Sequence, residues 1–127
     1  GKYLVLDIEK TNPPEMQGIY NSIVFAAVIE HLTDAKSTLK KFVPLLAPGG
    51  KLIVTTPSPR GKFILEIGGA IGIFGREDEA KFFTRKELTH LMLDCGLIIE
   101  HYRKFCFRMN QIIVGKKSDT KGMAARI

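Results

Sequence analysis

Four groups of residues in this sequence have types and spacings that could do chemistry. Asp7 closes the aliphatic run Tyr3-Leu4-Val5-Leu6, so its carboxylate would stand at the end of a strand. There it can accept a hydrogen bond from a ligand or from its own turn, and taken alone the turn is the plainer reading. Glu30 and His31 are adjacent, offering a carboxylate and an imidazole for proton transfer or for a cation. Two ligands from one short segment, with no third in view, make a poor site for a hard cation that wants several oxygens. The preferred reading is therefore a pair that ties a helix entry to neighbouring backbone, and no metal is expected. Ala26 and Ala27 end a second apolar run and are small enough to let a ligand approach the backbone, although alanine is also ordinary core. Cys95 and Cys106 lack CxxC spacing and follow no signal peptide, which reads as free thiols in a reducing compartment, by default the cytoplasm. His90 and His101 have no motif around them and read as surface.

These residues need a scaffold, and composition bounds it. A chain of 127 residues with 45% hydrophobic and 25% charged residues is the size and kind of one soluble domain. The net charge of +6 raises the question of nucleic acid, but the basic residues are scattered. Lys36, Lys40 and Lys41 fit the solvent face of a helix, while Lys116, Lys117, Lys121 and Arg126 crowd a polar C-terminal stretch. Solvation explains them, and nucleic acid is not the expected partner. The longest apolar stretch, Phe63 to Phe74, is interrupted by Glu66 and by glycines and falls short of the roughly 20 residues of a membrane span. No membrane is expected. The domain should occupy residues 1–117, with residues 118–127 a disordered tail.

The order of elements follows from the apolar patterning. Tyr3 to Leu6 predicts a strand buried on both faces, Thr11-Asn12-Pro13-Pro14 breaks it, and Ser22 to Ala27 predicts a second. Thr33 or Asp34 can cap a helix in which Leu39, Phe42, Val43 and Leu46 share a face, with Pro44 bending or ending its last turn. Pro48-Gly49-Gly50 then turns the chain into a buried strand from Lys51 to Thr56, completing a βαβ unit. Thr84 and Glu87 have capping-box spacing ahead of an apolar face of Leu88, Leu91, Met92 and Cys95, and Gly96 stops that helix. Leu97 to Phe107 and Gln111 to Val114 predict an antiparallel hairpin. The whole is an α/β fold with a mainly parallel sheet and an antiparallel strand at its C-terminal end.

The stretch from Tyr20 through Val28-Ile29-Glu30-His31-Leu32, followed by Leu46-Ala47-Pro48-Gly49-Gly50 and the strand Lys51 to Pro57, resembles the fourth-to-fifth-strand region of class I S-adenosylmethionine-dependent methyltransferases. Phe82 through Leu88 and Cys95-Gly96-Leu97 are similar to that family's last helix, and the resemblance covers about residues 3 to 117. It implies a Rossmann-like sheet whose ligand lies beyond the carboxyl ends of the strands. It also implies that Asp7 and Ile8 meet the adenine of S-adenosylmethionine, through the carboxylate and the backbone amide, and that Ala26 and Ala27 line the cofactor. Some quinone and RNA O-methyltransferases of this superfamily hold a cation through E-x-x-E-H, a pattern broken here at Ala27. His31 would instead face the methyl-transfer site as a base.

About a dozen residues separate Asp7 from the strand at Ser22, too few for a helix, a strand and two loops, so Asp7 matches the family's third strand. Strands one and two and the G-x-G-x-G loop are then missing, and Gly68-Gly69-Ala70-Ile71-Gly72 has the wrong spacing to replace them. The expected function is a methyltransferase's C-terminal portion, inactive by itself. It would act on a small-molecule acceptor, and the apolar segment between Ser58 and Phe83 favours an apolar or aromatic one. The alternative is a non-catalytic binding module. The family's strand order, 3-2-1-4-5-7-6, would leave Ser22 to Ala27 as a hydrophobic edge. Re-pairing with Tyr3 to Leu6, a homodimer through that edge, or a missing N-terminal piece would each protect it, and the third is preferred.

Overall fold

The computed structural model describes residues 5, 7–11, 20–60 and 81–119. Among the described residues, four strands and two α-helices follow in the order β1 (Tyr20–Ala26), α1 (Ala35–Phe42), β2 (Leu46–Pro57), α2 (Arg85–Asp94), β3 (Ile98–Phe105) and β4 (Asn110–Lys116). The sheet order is β1-β2-β4-β3, with β1 and β2 parallel and the remaining pairs antiparallel. This is the order that the 4-5-7-6 half of the expected sheet requires. Among the described strands β1–β2 is the parallel pair. The strand expected over Tyr3 to Leu6 lies outside the described residues, apart from Val5, as do the apolar segment over 61–80 and residues 120–127.

Both helices begin where their sequence signals lie. Asp34 caps α1 by accepting from the Ser37 amide at 3.1 Å. Pro44 has the predicted effect, since the α-helix gives way to a 3-10 turn over Val43–Leu45. Thr84 and Glu87 form a reciprocal capping box at 3.1 Å in each direction. Gly96, at φ 81°, takes the left-handed conformation that terminates α2. Gly50 matters for a different reason. A Cβ there would lie 2.8 Å from the Ala47 carbonyl oxygen and 3.0 Å from that of Tyr20, so only glycine lets the start of β2 close on β1.

The core lies between one face of the sheet and the helices. Leu52, Val54 and Ile113 from the sheet meet Leu39 of α1 and Leu88 and Met92 of α2, all with no exposed surface. Phe25 packs edge-to-face on Phe42 at 5.3 Å between centroids. The other face differs from the expectation of strands buried on both sides. Val24, Ile53 and Val114 stand in register across it, yet Val24 is 58% exposed. Among the described residues both helices pack on the opposite face, and β1 has one neighbour; five of its seven residues are exposed.

Candidate functional site

Because β1 and β2 run parallel, their carboxyl ends define one crevice edge. Ala26 pairs with Thr55, and the Ala27 amide donates to the Thr55 carbonyl at 2.9 Å. Ala27 then turns the chain sharply through a left-handed conformation at φ 54°. For a residue with a Cβ this costs about 1 to 2 kcal/mol, so the surrounding hydrogen bonds must impose it. Both alanines are exposed, leaving the backbone at the strand end within reach of a ligand.

The turn after Ala27 runs through a 3-10 segment, Ile29–His31, in which Ile29 and Glu30 are buried and His31 is exposed. Glu30 is only 2% exposed, and its Oε2 accepts from the Thr56 hydroxyl at 2.8 Å. Its backbone carbonyl accepts from the Lys81 amide at 2.8 Å. The His31 Nε2 lies 3.9 Å from its Oε1. Glu30 therefore joins the exit of β1, the end of β2 and the approach to α2. A buried carboxylate demands such partners. Among the described residues no group of three or more His, Cys, Asp or Glu side chains could hold a metal ion.

Asp7 and Ile8 lie in a turn that two longer-range contacts pin to α1. Lys41 Nζ donates to the carbonyls of Ile8, Glu9 and Thr11 at 2.6, 3.0 and 3.3 Å. Glu9 Oε2 accepts from the amides of Thr33 and Asp34 at 2.8 and 3.2 Å, a carboxylate at a helix N-terminus where the dipole favours it. Lys41 thus departs from its expected place on a solvent face. Its four-carbon stem lets the ammonium reach a separate segment while the side chain is half-buried. Asp7 itself is exposed. Its Oδ1 accepts from the Glu9 amide at 3.0 Å, the turn chemistry that the residue taken alone suggests, while its carbonyl accepts from Lys10 and Thr11. Ile8 is half-buried against the core, and its amide makes no hydrogen bond among the described residues.

Two further buried polar residues shape this end of the sheet, and neither has a local motif that marks it. Gln111 is fully buried, donates to the carbonyls of Pro57 and Phe83, and accepts from the Tyr102 hydroxyl at 2.5 Å. Burial pushes the Tyr102 phenol up from its ordinary value, with Arg85, 4.7 Å from the ring centre, acting in the opposite direction. Ser58, also fully buried, donates its hydroxyl to the Arg108 carbonyl and its amide to the Met109 carbonyl. These contacts fasten the end of β2 to the β3–β4 hairpin and to the entry of α2. A depression of about 440 Å³ lies outside this crevice, between the start of α1 and α2, and is lined by Lys36, Lys81, Lys86 and His90 among others. None of Asp7, Ile8, Ala26 or Ala27 borders it, so it does not mark the crevice.

Comparison with known proteins gives a consistent result. A methyltransferase domain family matches residues 5–102. A ubiquinone biosynthesis O-methyltransferase of Bradyrhizobium sp. strain ORS 278 is 33% identical over 103 residues, which is 76% of this chain and 40% of that protein. Among solved structures, a SAM-dependent methyltransferase from Methanosarcina mazei aligns at a TM-score of 0.66 and 19% identity, covering 91% of this chain and 66% of that one. Magnesium protoporphyrin IX methyltransferase from Synechocystis with bound SAH aligns at 0.62 and 18%, covering 91% and 50%. The chain spans less than half the length of the curated relatives it matches.

Proposed function

Since this chain belongs to the class I S-adenosylmethionine-dependent methyltransferase family, we propose that it forms the C-terminal part of an enzyme that methylates a small apolar or aromatic acceptor. The reading of the acceptor draws on the relatives named for ubiquinone biosynthesis. One observation carries the site: the Asp7–Thr11 turn is tied by Lys41 and Glu9 to the helix that begins just beyond the Ala26–Ala27 strand end. That arrangement suits the adenosyl part of S-adenosylmethionine. Asp7 is exposed, so a carboxylate oxygen beyond the one bonded to Glu9 can accept from an exocyclic amine, and the Ile8 amide, which makes no hydrogen bond among the described residues, can donate to a ring nitrogen. Ala26 and Ala27 present backbone with little side chain in the way.

The bound cofactor supplies a methyl group already activated by its sulfonium, so the protein's task is to orient the acceptor and exclude water. His31, exposed two residues beyond the buried Ile29, would take a proton from a hydroxyl or amine acceptor. Glu30 is committed to Thr56 and serves to fix the turn that carries His31. The direct test is calorimetric titration of S-adenosylhomocysteine into a longer chain that also carries the glycine-rich loop. Asp7→Ala is expected to weaken binding by about 1 to 3 kcal/mol, the cost of an unmet polar partner. Equal affinity for variant and wild type would remove Asp7 from the site.

A further inference from the structure

The β3–β4 hairpin ends in a tip whose composition the packing of the domain does not explain. Phe107 is 88% exposed and Phe105 38%. Aromatic rings of that size are ordinarily buried in cores or interfaces. Cys106, Phe107 and Arg108 also form three successive non-glycine residues in the left-handed region, at φ 51°, 56° and 65°. L-residues adopt that conformation singly and at a cost, so an outlier of this length calls for a reason.

The tip is held rather than loose. Fully buried Ser58 binds the carbonyls of Arg108 and Met109, and the Met109 amide donates to the Cys106 carbonyl at 3.0 Å. Asn110 pairs with Pro57 at the end of β2, so the tip projects from the same end of the sheet as Ala26 and Ala27. Around the aromatic apex stand Arg103, Lys104 and Arg108, with no acid between residues 103 and 109. All three are exposed, and none makes an ion pair among the described residues. Arg103 pairs with Ile112 and Lys104 with Gln111, so strand alternation sets the two cations on opposite faces of the hairpin.

We propose that this tip docks on an anionic lipid surface, with Phe107 entering the headgroup boundary and Arg103, Lys104 and Arg108 meeting the phosphates. A convex aromatic apex between cations suits a soft, negatively charged interface, where the ring sheds water while the charges stay hydrated. A protein partner would be met by a broader patch with a desolvated centre, which a single protruding ring does not supply. The rigid hold by Ser58 keeps the apex posed before contact, which lowers the ordering cost of docking. The sequence argued against a membrane partner because no span is long enough, and a surface contact makes no such demand. Docking by this tip is independent of methyl transfer, because it does not involve the cofactor.

The chain contains no tryptophan, so Phe107→Trp puts a lone indole at the apex. Its emission in the 127-residue chain is expected to shift to the blue on addition of mixed phosphatidylglycerol and phosphatidylcholine vesicles, and to stay unchanged with phosphatidylcholine alone. Wild-type chain is expected to sediment with the mixed vesicles. That affinity should fall about fivefold for each of Arg103→Gln, Lys104→Gln and Arg108→Gln, and about tenfold or more for Phe107→Ser. An unshifted indole, equal shifts with both kinds of vesicle, or equal sedimentation of wild type and Phe107→Ser would overturn the proposal. So would a blue shift produced by polyglutamate, pointing to an acidic protein, or sedimentation abolished by low inorganic phosphate, pointing to a free-anion site.

Discussion

The Glu30 carboxylate and the Thr56 hydroxyl meet at 2.8 Å in the interior of the domain, where Glu30 is 2% and Thr56 1% exposed. Thr56→Val keeps the shape and removes the donor. The carboxylate then loses its interior partner, and the chain is expected to lose about 1 to 3 kcal/mol of stability by urea unfolding. Thr56→Ser restores the hydroxyl and should recover most of that loss. Equal midpoints for the valine and serine variants would show that the bond contributes nothing.

Ala27 occupies the left-handed region at the strand exit. Glycine carries no Cβ penalty there, although it adds entropy to the unfolded chain, so Ala27→Gly is expected to stabilise by about 0.5 to 1 kcal/mol. A destabilised variant in thermal melts would mean that the methyl group makes packing contacts that outweigh the backbone strain.

The Ser37 amide, then the Ser37 hydroxyl, hold the exposed Asp34 carboxyl below its ordinary value of 3.8. Because the folded value is the lower one, the unfolded chain takes up the proton first. The stabilisation is fully present above about 3.8 and fades as pH falls through the folded value. Urea midpoints of wild type and Asp34→Ala should therefore differ at neutral pH and converge in acid. A gap independent of pH would assign the effect to something other than the charged cap.

The two thiols should react at different rates. Both cysteines are free, Cys95 buried and Cys106 exposed. Burial pushes the Cys95 thiol up from its ordinary value, with nearby Lys40 acting the other way, so little thiolate forms near neutrality. An aromatic disulfide reagent is expected to modify Cys106 promptly and Cys95 only as the chain unfolds. Two equal fast phases in the native chain would contradict this burial.

Local pattern alone determined the βαβ unit, a cap at Thr33 or Asp34, the capping box at Thr84 and Glu87, the break at Pro44 and the stop at Gly96, and the structure gave the cap to Asp34. Each depends on residues within about one helical turn of each other, or on a strand's run of apolar side chains, and such signals are written directly in the chain. The family's strand order, together with those elements, also anticipated β1-β2-β4-β3. What the sequence could not disclose are partnerships between segments far apart along the chain. Lys41 reads as a solvent-facing lysine until the Ile8–Thr11 carbonyls are brought beside it, 30 to 33 residues away. Glu30 and Thr56 are 26 residues apart, and Gln111 and Pro57 are 54 apart. A polar side chain carries no mark of its partner, because one glutamine or lysine can satisfy its hydrogen bonds equally well in water. Only closure of the sheet against its helices removed that water and fixed which carbonyl, hydroxyl or carboxylate took its place.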